Sequence, residues 1–201
     1  MEKYDTIKYY DDNAEQYCEQ TRNGDMSSVY NRFLVMLPDK AYILDFGCGS
    51  GRDSKVFIDK GYSVTSVDGS EKMCELASKN IGQKVECMQF DQLRDTARYD
   101  GIWACSSILH VEREKLPDIL RKMIEALKEN GVIYTCFKKG DKCEVRNGRY
   151  FNDMTRELLE EMLKDLEVNA EITDYFENES TINDDKWGNY YIKKSKEKKE
   201  G

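Results

Sequence analysis

Glycine stands at positions 47, 49 and 51, directly after the apolar run Ile43-Leu44-Asp45-Phe46. A second run, Tyr62-Ser63-Val64-Thr65-Ser66-Val67, ends on Asp68. Glycine lets a backbone turn come close to a ligand. A carboxylate at a strand tip can accept from both hydroxyls of a ribose. The spacing therefore predicts a nucleoside site spanning two parallel strands. A dinucleotide turn wants a third glycine at position 52, and Arg52 stands there. Pyrophosphate also needs an electropositive helix end, whereas Asp45 at the mouth of the turn would repel it. An acid there suits a ligand with a positive amino group. The competing reading is a structural turn in a parallel sheet with Asp45 as a helix cap, which leaves Asp45 and Asp68 together unexplained.

S-adenosylmethionine has the required amine, a sulfonium, a ribose and an adenine, and no phosphate. The segment from Leu44 to Ala77, LDFGCGSGRDSKVFIDKGYSVTSVDGSEKMCELA, resembles motifs I and II of class I S-adenosylmethionine-dependent methyltransferases. It is most similar to their small-molecule branch of ubiquinone-pathway-like and tellurite-resistance-like enzymes. The likeness covers about positions 4 to 192 and becomes generic after Gly140. It implies an α/β, Rossmann-like, seven-stranded, mostly parallel sheet of order 3-2-1-4-5-7-6, with helices on both faces and an N-terminal helical lid. It also implies roles. Gly47, Gly49 and Gly51 would let the methionine portion lie against backbone, with Cys48 beside it, and Asp45 would hold its ammonium directly or through water. Asp68 would take the ribose hydroxyls, and Gly69, Ser70 and Met73 would follow, with Met73 over the adenine. At Phe90-Asp91-Gln92, the acid would accept from the adenine amine and the next backbone amide would donate to the ring. Cys105 and Ser106, at the end of the fourth strand, would also contact the cofactor. Arg52 would pair with the methionine carboxylate or form an ion pair with Asp53 or Glu75. Tyr17, on the lid helix, would reach the methionine end or serve as core.

A sulfonium makes its methyl group electrophilic, so the protein must align a nucleophile and exclude water. A base is needed only for an acceptor atom that carries a proton at neutral pH. His110, the only histidine, follows the fourth strand and is the candidate base; the alternative is a structural histidine. Tyr10 on the lid helix, and Arg149 and Tyr150 after the fifth strand, are candidate acceptor contacts, and Arg146 and Arg149 could hold an anionic group. The alternative is an exposed loop. The expected acceptor is a small molecule. No Asp/Asn-Pro-Pro-aromatic motif follows the fourth strand, and neither proline adjoins a cysteine. This departs from the nucleic-acid-modifying branches.

These residues need strands and helices in alternation to bring them together. Periodicity predicts lid helices bearing Tyr10, Ala14 and Tyr17 and then Val29, Phe33 and Leu37. Strand 41–46, helix 51–60, strand 62–67, helix 70–80, and strands 84–88 and 100–105 follow. The apolar face Leu116, Ile119, Leu120, Met123, Ile124 and Leu127 marks a helix running to a stop at Asn130-Gly131. A strand at 132–138, a helix capped by Thr155 and strands at about 166–177 and 187–193 complete the pattern, with a polar loop at 177–185. The 201 residues suit one domain: a lid at 1–40, a cofactor core at 41–138, substrate-side elements at 139–194 and a frayed tail at 195–201.

A net charge of -8 argues against a nucleic-acid partner. Seven cysteines without a C-x-x-C pair, and a single histidine, give no metal site and suit a reducing, cytoplasmic setting. No apolar run reaches membrane-spanning length. A monomer or homodimer is expected. Two rivals stand beside the methyltransferase reading: a nicotinamide-dependent oxidoreductase, and a nucleoside-binding regulatory protein without catalysis.

Overall fold

A computed structural model describes residues 5–22, 24–179 and 185–195. Two helices open the chain, α1 (Thr6–Thr21) and α2 (Ser27–Leu34). Asp5 starts α1 by accepting from the Lys8 amide at 3.0 Å, a cap of about 1 kcal/mol. Then come β1 (Tyr42–Phe46), α3 (Arg52–Asp59), β2 (Ser63–Asp68), α4 (Glu71–Ile81) and the short β3 (Glu86–Cys87). The central strand β4 (Tyr99–Ala104) leads to α5 (Leu116–Ala126) and the long β5 (Leu127–Lys138). A hairpin, β6 (Cys143–Arg146) and β7 (Arg149–Asn152), precedes α6 (Arg156–Asp165) and the closing strands β8 (Ala170–Glu179) and β9 (Lys186–Lys194).

The main sheet runs β3-β2-β1-β4-β5-β9-β8. The first five strands are parallel, and β8 and β9 join antiparallel at the edge. Counted along the chain within this sheet alone, that is the order 3-2-1-4-5-7-6. The departure from expectation is the separate β6–β7 hairpin, where the sequence suggested a loop. Its two strands pair Cys143 with Asn152 through Arg146 with Arg149.

Each sheet face carries its own core. On one side Leu116, Leu120 and Met123 of α5 and Leu159 of α6 are buried against Leu44, Ile102 and Ile133, each large side chain contributing roughly 1.5–3 kcal/mol. On the other, Val29, Tyr30 and Phe33 of α2 and Phe57 of α3 enclose Trp103, whose ring stacks on Tyr134 at 4.1 Å. Residues before Pro38 thus serve partly as core, and only α1 lies over the strand tips.

Asn130-Gly131 is not the helix stop that its composition suggested. The helix ends at Ala126, because Leu127 is already extended and pairs with Tyr99. The Ala97 and Arg98 amides take the last carbonyls, Glu125 O and Ala126 O, at 2.9 and 2.8 Å. Asn130-Gly131 instead falls where the β4–β5 ladder shifts register. The expected strand at 84–88 shrinks to two residues. The expected tail lies outside the described residues apart from Ser195, as does most of the 177–185 loop, whose first residues continue β8.

Candidate functional site

β1 leaves the sheet at Phe46 and turns at once. The Gly47 and Cys48 amides both donate to Val67 O at 2.9 Å, which holds the turn against β2. Gly47 has φ +86°, and a Cβ there would stand 2.5 Å from the Ser107 Cβ, so only glycine fits. Gly51 has φ +73°, and a Cβ there would press on Ile81 at 2.9 Å. The third glycine therefore serves the packing of α3 on α4.

Asp68 ends β2 beside this turn. Its Oδ2 accepts from the Gly49 amide and its Oδ1 from the Ser70 amide, each at 2.9 Å. Burial pushes its pKa up, and these backbone amides partly offset that rise. Each carboxylate oxygen keeps a lone pair for a further donor. Ser70 caps α4, accepting from the Met73 amide at 3.1 Å while donating to Asp11 of α1 at 2.6 Å. That bond ties the lid to the loop after β2.

The loops after β1, β2, β3 and β4 and the side chain of Cys136 on β5 surround a cavity of about 970 Å³. Its roof is α1 with Tyr10 and Tyr17, and Asp25 and Met26 that follow. Asp68 stands on one wall of the cavity and Asp91 on another, with Lys115 and Lys122 also in the lining. The Asp91 carboxylate has no hydrogen-bond partner among the described residues, while its backbone carbonyl takes Arg94 and Lys122. The basic group nearest the glycine turn, Arg52, is occupied. It donates from Nε and Nη2 to Asp53 at 2.6 and 3.2 Å, and from Nη1 to Thr21 O at 3.1 Å. The two carboxylate acceptors, Asp68 and Asp91, suit a nucleoside that brings hydroxyl and amine donors.

Residues 43–131 match the family described as Methyltransferase domain. An uncharacterized methyltransferase of Geobacillus thermodenitrificans is 27% identical over 175 residues, covering 81% of this chain and 80% of that protein. Among solved structures, magnesium protoporphyrin IX methyltransferase of Synechocystis with bound S-adenosylmethionine has a TM-score of 0.72 at 15% identity, covering 94% of this chain and 95% of that one. The 1,6-didemethyltoxoflavin-N1-methyltransferase of Burkholderia thailandensis, with bound acceptor and S-adenosylhomocysteine, has a TM-score of 0.68 at 18% identity, covering 98% and 93%.

The chain is a class I S-adenosylmethionine-dependent methyltransferase.

Most of the anticipated cofactor residues of this methyltransferase meet at one cavity. Tyr17, Gly47, Cys48, Gly49, Arg52 and Asp68 line it, as do Gly69, Ser70, Met73, Asp91, Cys105 and Ser106. Two do not. Asp45 is sealed behind the turn at 2% exposure and accepts from Ser54 Oγ at 2.6 Å, with Ser66 Oγ 2.7 Å from the same hydroxyl. Burial, and then the negative charge of Asp53, push its pKa up, and it packs between α3 and β2 without lining the cavity. Gln92 turns away: its Oε1 accepts from the Gln89 amide at 2.8 Å, and its own amide donates to Gln89 O at 3.0 Å. The amide expected to meet the adenine is thus already used inside a tight turn.

On the acceptor side, Tyr10 and His110 face the cavity, and Arg149 and Tyr150 do not line it. The β6–β7 hairpin carries those two behind the histidine. Arg149 lies over the Tyr9 ring at 4.5 Å, and Tyr150 offers its carbonyl to His110. Arg146 is consumed by Asp153 and Glu144. The residues that sequence reasoning missed come from the sheet's far side: Tyr134 and Cys136 of β5 and Trp187 and Asn189 of β9 extend the cavity beyond the glycine turn. The alternation of Tyr134 and Cys136 was a signal that they share a face, without saying which. The Cys136 thiol lies 3.2 Å from the Ser106 amide and 3.4 Å from its hydroxyl. Its hydrogen bonds to Cys105 and Ser106 lower its pKa, and that of Cys105 rises.

Proposed function

We propose that this methyltransferase acts on a small-molecule acceptor held under α1, between the glycine turn and the Tyr134–Trp187 wall. The observation that carries this reading is the shape of the cavity: it continues past the cofactor loops and is roofed by the chain's own first helix. The net charge of -8 disfavours a polyanionic substrate. S-adenosylmethionine supplies an electrophilic methyl group. The chain's own residues bind and orient. Asp68 would accept from the ribose hydroxyls with its two remaining lone pairs, and Asp91 from the adenine amine. Met73 would cover the base. Tyr17, whose hydroxyl has no partner among the described residues, would meet the methionine end. Cys105 and Ser106 would close the wall beside the methyl group and exclude water. The seven free cysteines suit a reducing compartment, and we place the activity in the cytoplasm.

Calorimetry with S-adenosylmethionine, S-adenosylhomocysteine and a nicotinamide dinucleotide tests the site. We expect the first two to bind and the third not to. Asp68→Ala should weaken S-adenosylmethionine by about 1–3 kcal/mol, because it removes the acceptor for buried hydroxyls. An unchanged affinity would show that the ribose lies elsewhere. Turnover against thiol, amine and hydroxyl acceptors then tests the small-molecule reading, which fails if none is methylated.

A further inference from the structure

The hydrogen-bond roles around His110 follow from what each partner can do. The Tyr150 carbonyl lies 2.7 Å from His110 Nδ1. A carbonyl only accepts, so Nδ1 carries the proton. In the neutral ring Nε2 is then an acceptor, and the Tyr10 hydroxyl 2.9 Å away donates to it. The Tyr10 oxygen in turn accepts from Arg149 Nη1 at 3.3 Å. Arg149 has no carboxylate partner among the described residues, and its Nε is buried without a hydrogen bond.

His110 therefore has no free nitrogen for an acceptor molecule: one is protonated and the other is covered. The Tyr10 oxygen lies on the cavity wall and keeps one lone pair beyond the bond from Arg149. Resting on the methyltransferase reading above, we propose that Tyr10 is the catalytic residue that takes the proton from a hydroxyl acceptor. His110 Nε2 receives the proton of Tyr10 in the same step.

The hydroxyl oxygen forms its new bond to the methyl carbon, and the electron pair of the breaking methyl–sulfur bond stays on sulfur. The hydroxyl proton passes to Tyr10 Oη, and the Tyr10 proton passes to Nε2. The ring becomes an imidazolium that discharges to water on product release. The total positive charge is unchanged, since the sulfonium charge disappears as the imidazolium forms. Arg149 steadies the tyrosine oxygen while it exchanges protons.

The surroundings select the acceptor. Burial, together with the cations Arg149 and Lys138, holds His110 at about 4, despite the hydrogen bond to Tyr150. Burial raises the pKa of Tyr10, the Arg149 charge and hydrogen bond oppose that rise, and the Asp68 charge adds to it. So weak a base cannot strip an ammonium product, and an amine or a thiolate needs no base before attack. An oxygen that has gained a methyl group holds its proton far more weakly than an imidazolium, so a hydroxyl acceptor alone benefits.

One histidine in the chain means one imidazole in a ¹⁵N NMR spectrum. For the ligand-free protein near neutral pH we expect a protonated Nδ1 and an unprotonated Nε2. Tyr10→Phe should shift the Nε2 resonance, leave Nδ1 protonated, and leave S-adenosylmethionine affinity within about threefold. It should slow methyl transfer to hydroxyl acceptors by roughly 10²-fold or more, and transfer to a pre-ionised thiolate by no more than about threefold. A protonated Nε2, an equal loss for both acceptor types, or a panel in which only amines and thiols turn over would overturn the relay. Failure to bind S-adenosylmethionine would sink the functional reading instead, and would leave the tautomer as found.

Discussion

Replacing Asp53 with alanine is expected to lower the unfolding free energy by about 3–5 kcal/mol, the cost of breaking a buried ion pair from one side. Asp53 is 6% exposed and accepts from three neighbours. The Tyr30 hydroxyl donates at 2.6 Å, the Trp103 indole at 2.7 Å, and Arg52 through two nitrogens. These donors come from α2, β4 and α3, so one carboxylate links three elements of the same core. The variant leaves a tyrosine hydroxyl, an indole N–H and a guanidinium without their acceptor at once. Arg52 also donates to Thr21 O at the end of α1, so freeing its guanidinium from Asp53 loosens one of the ties between the lid and α3. Urea unfolding with an unchanged slope measures the effect. Asp53→Asn should lose less, since it keeps one acceptor oxygen and the side-chain volume. A loss below about 1 kcal/mol for the alanine variant would mean that water replaces the carboxylate and that the cluster contributes little.

The same cluster shows where the sequence stops being informative. The glycine turn, Asp68 and the strand–helix alternation are local patterns, and a short stretch of chain determines them. Asp45 and Asp68 look alike on that scale, each an acid near a strand end. They part because Ser54, nine residues on, folds back over Asp45 with Ser66 behind it, whereas Asp68 meets only backbone amides and the cavity. Gln92 and Asp91 separate for a similar reason: a single tight turn sends one outward and uses the other to close itself. Arg149 and Tyr150 were legible as neighbours of the site, but their hairpin partnership was not, and it moves them from the acceptor's surface to the back of His110. Trp187 and Asn189 reach the cavity only through β9, which pairs antiparallel with β5 and sets Asn189 opposite Cys136. No spacing within the chain announces that contact.

His110 should make the fold sensitive to acid in a defined window. Burial lowers its pKa from the ordinary 6.5 to about 4, because a charged ring would lose its water and face Arg149 and Lys138. The unfolded chain takes up the proton as pH falls below about 6.5, and the folded chain only as pH falls below about 4. Folding stability is therefore flat above that range on this account, declines as pH falls from about 6.5 to about 4, and levels off below it. The shift corresponds to about 3 kcal/mol at 1.36 kcal/mol for each tenfold change in proton affinity. Asp45 and Asp68 act in the opposite sense, since burial raises their pKa values and the folded state binds their protons more tightly. A direct pH profile mixes these contributions, whereas the difference between the natural protein and His110→Asn cancels the carboxylates. Asparagine retains a donor for the Tyr150 carbonyl and cannot be protonated. Unfolding midpoints in urea, taken at several pH values, should show the natural protein losing up to about 3 kcal/mol more than the variant between pH 6.5 and pH 4. Parallel profiles would mean that the imidazole is hydrated and free to charge. Nε2 would then not be reserved for the Tyr10 proton, and an acceptor could meet the ring directly.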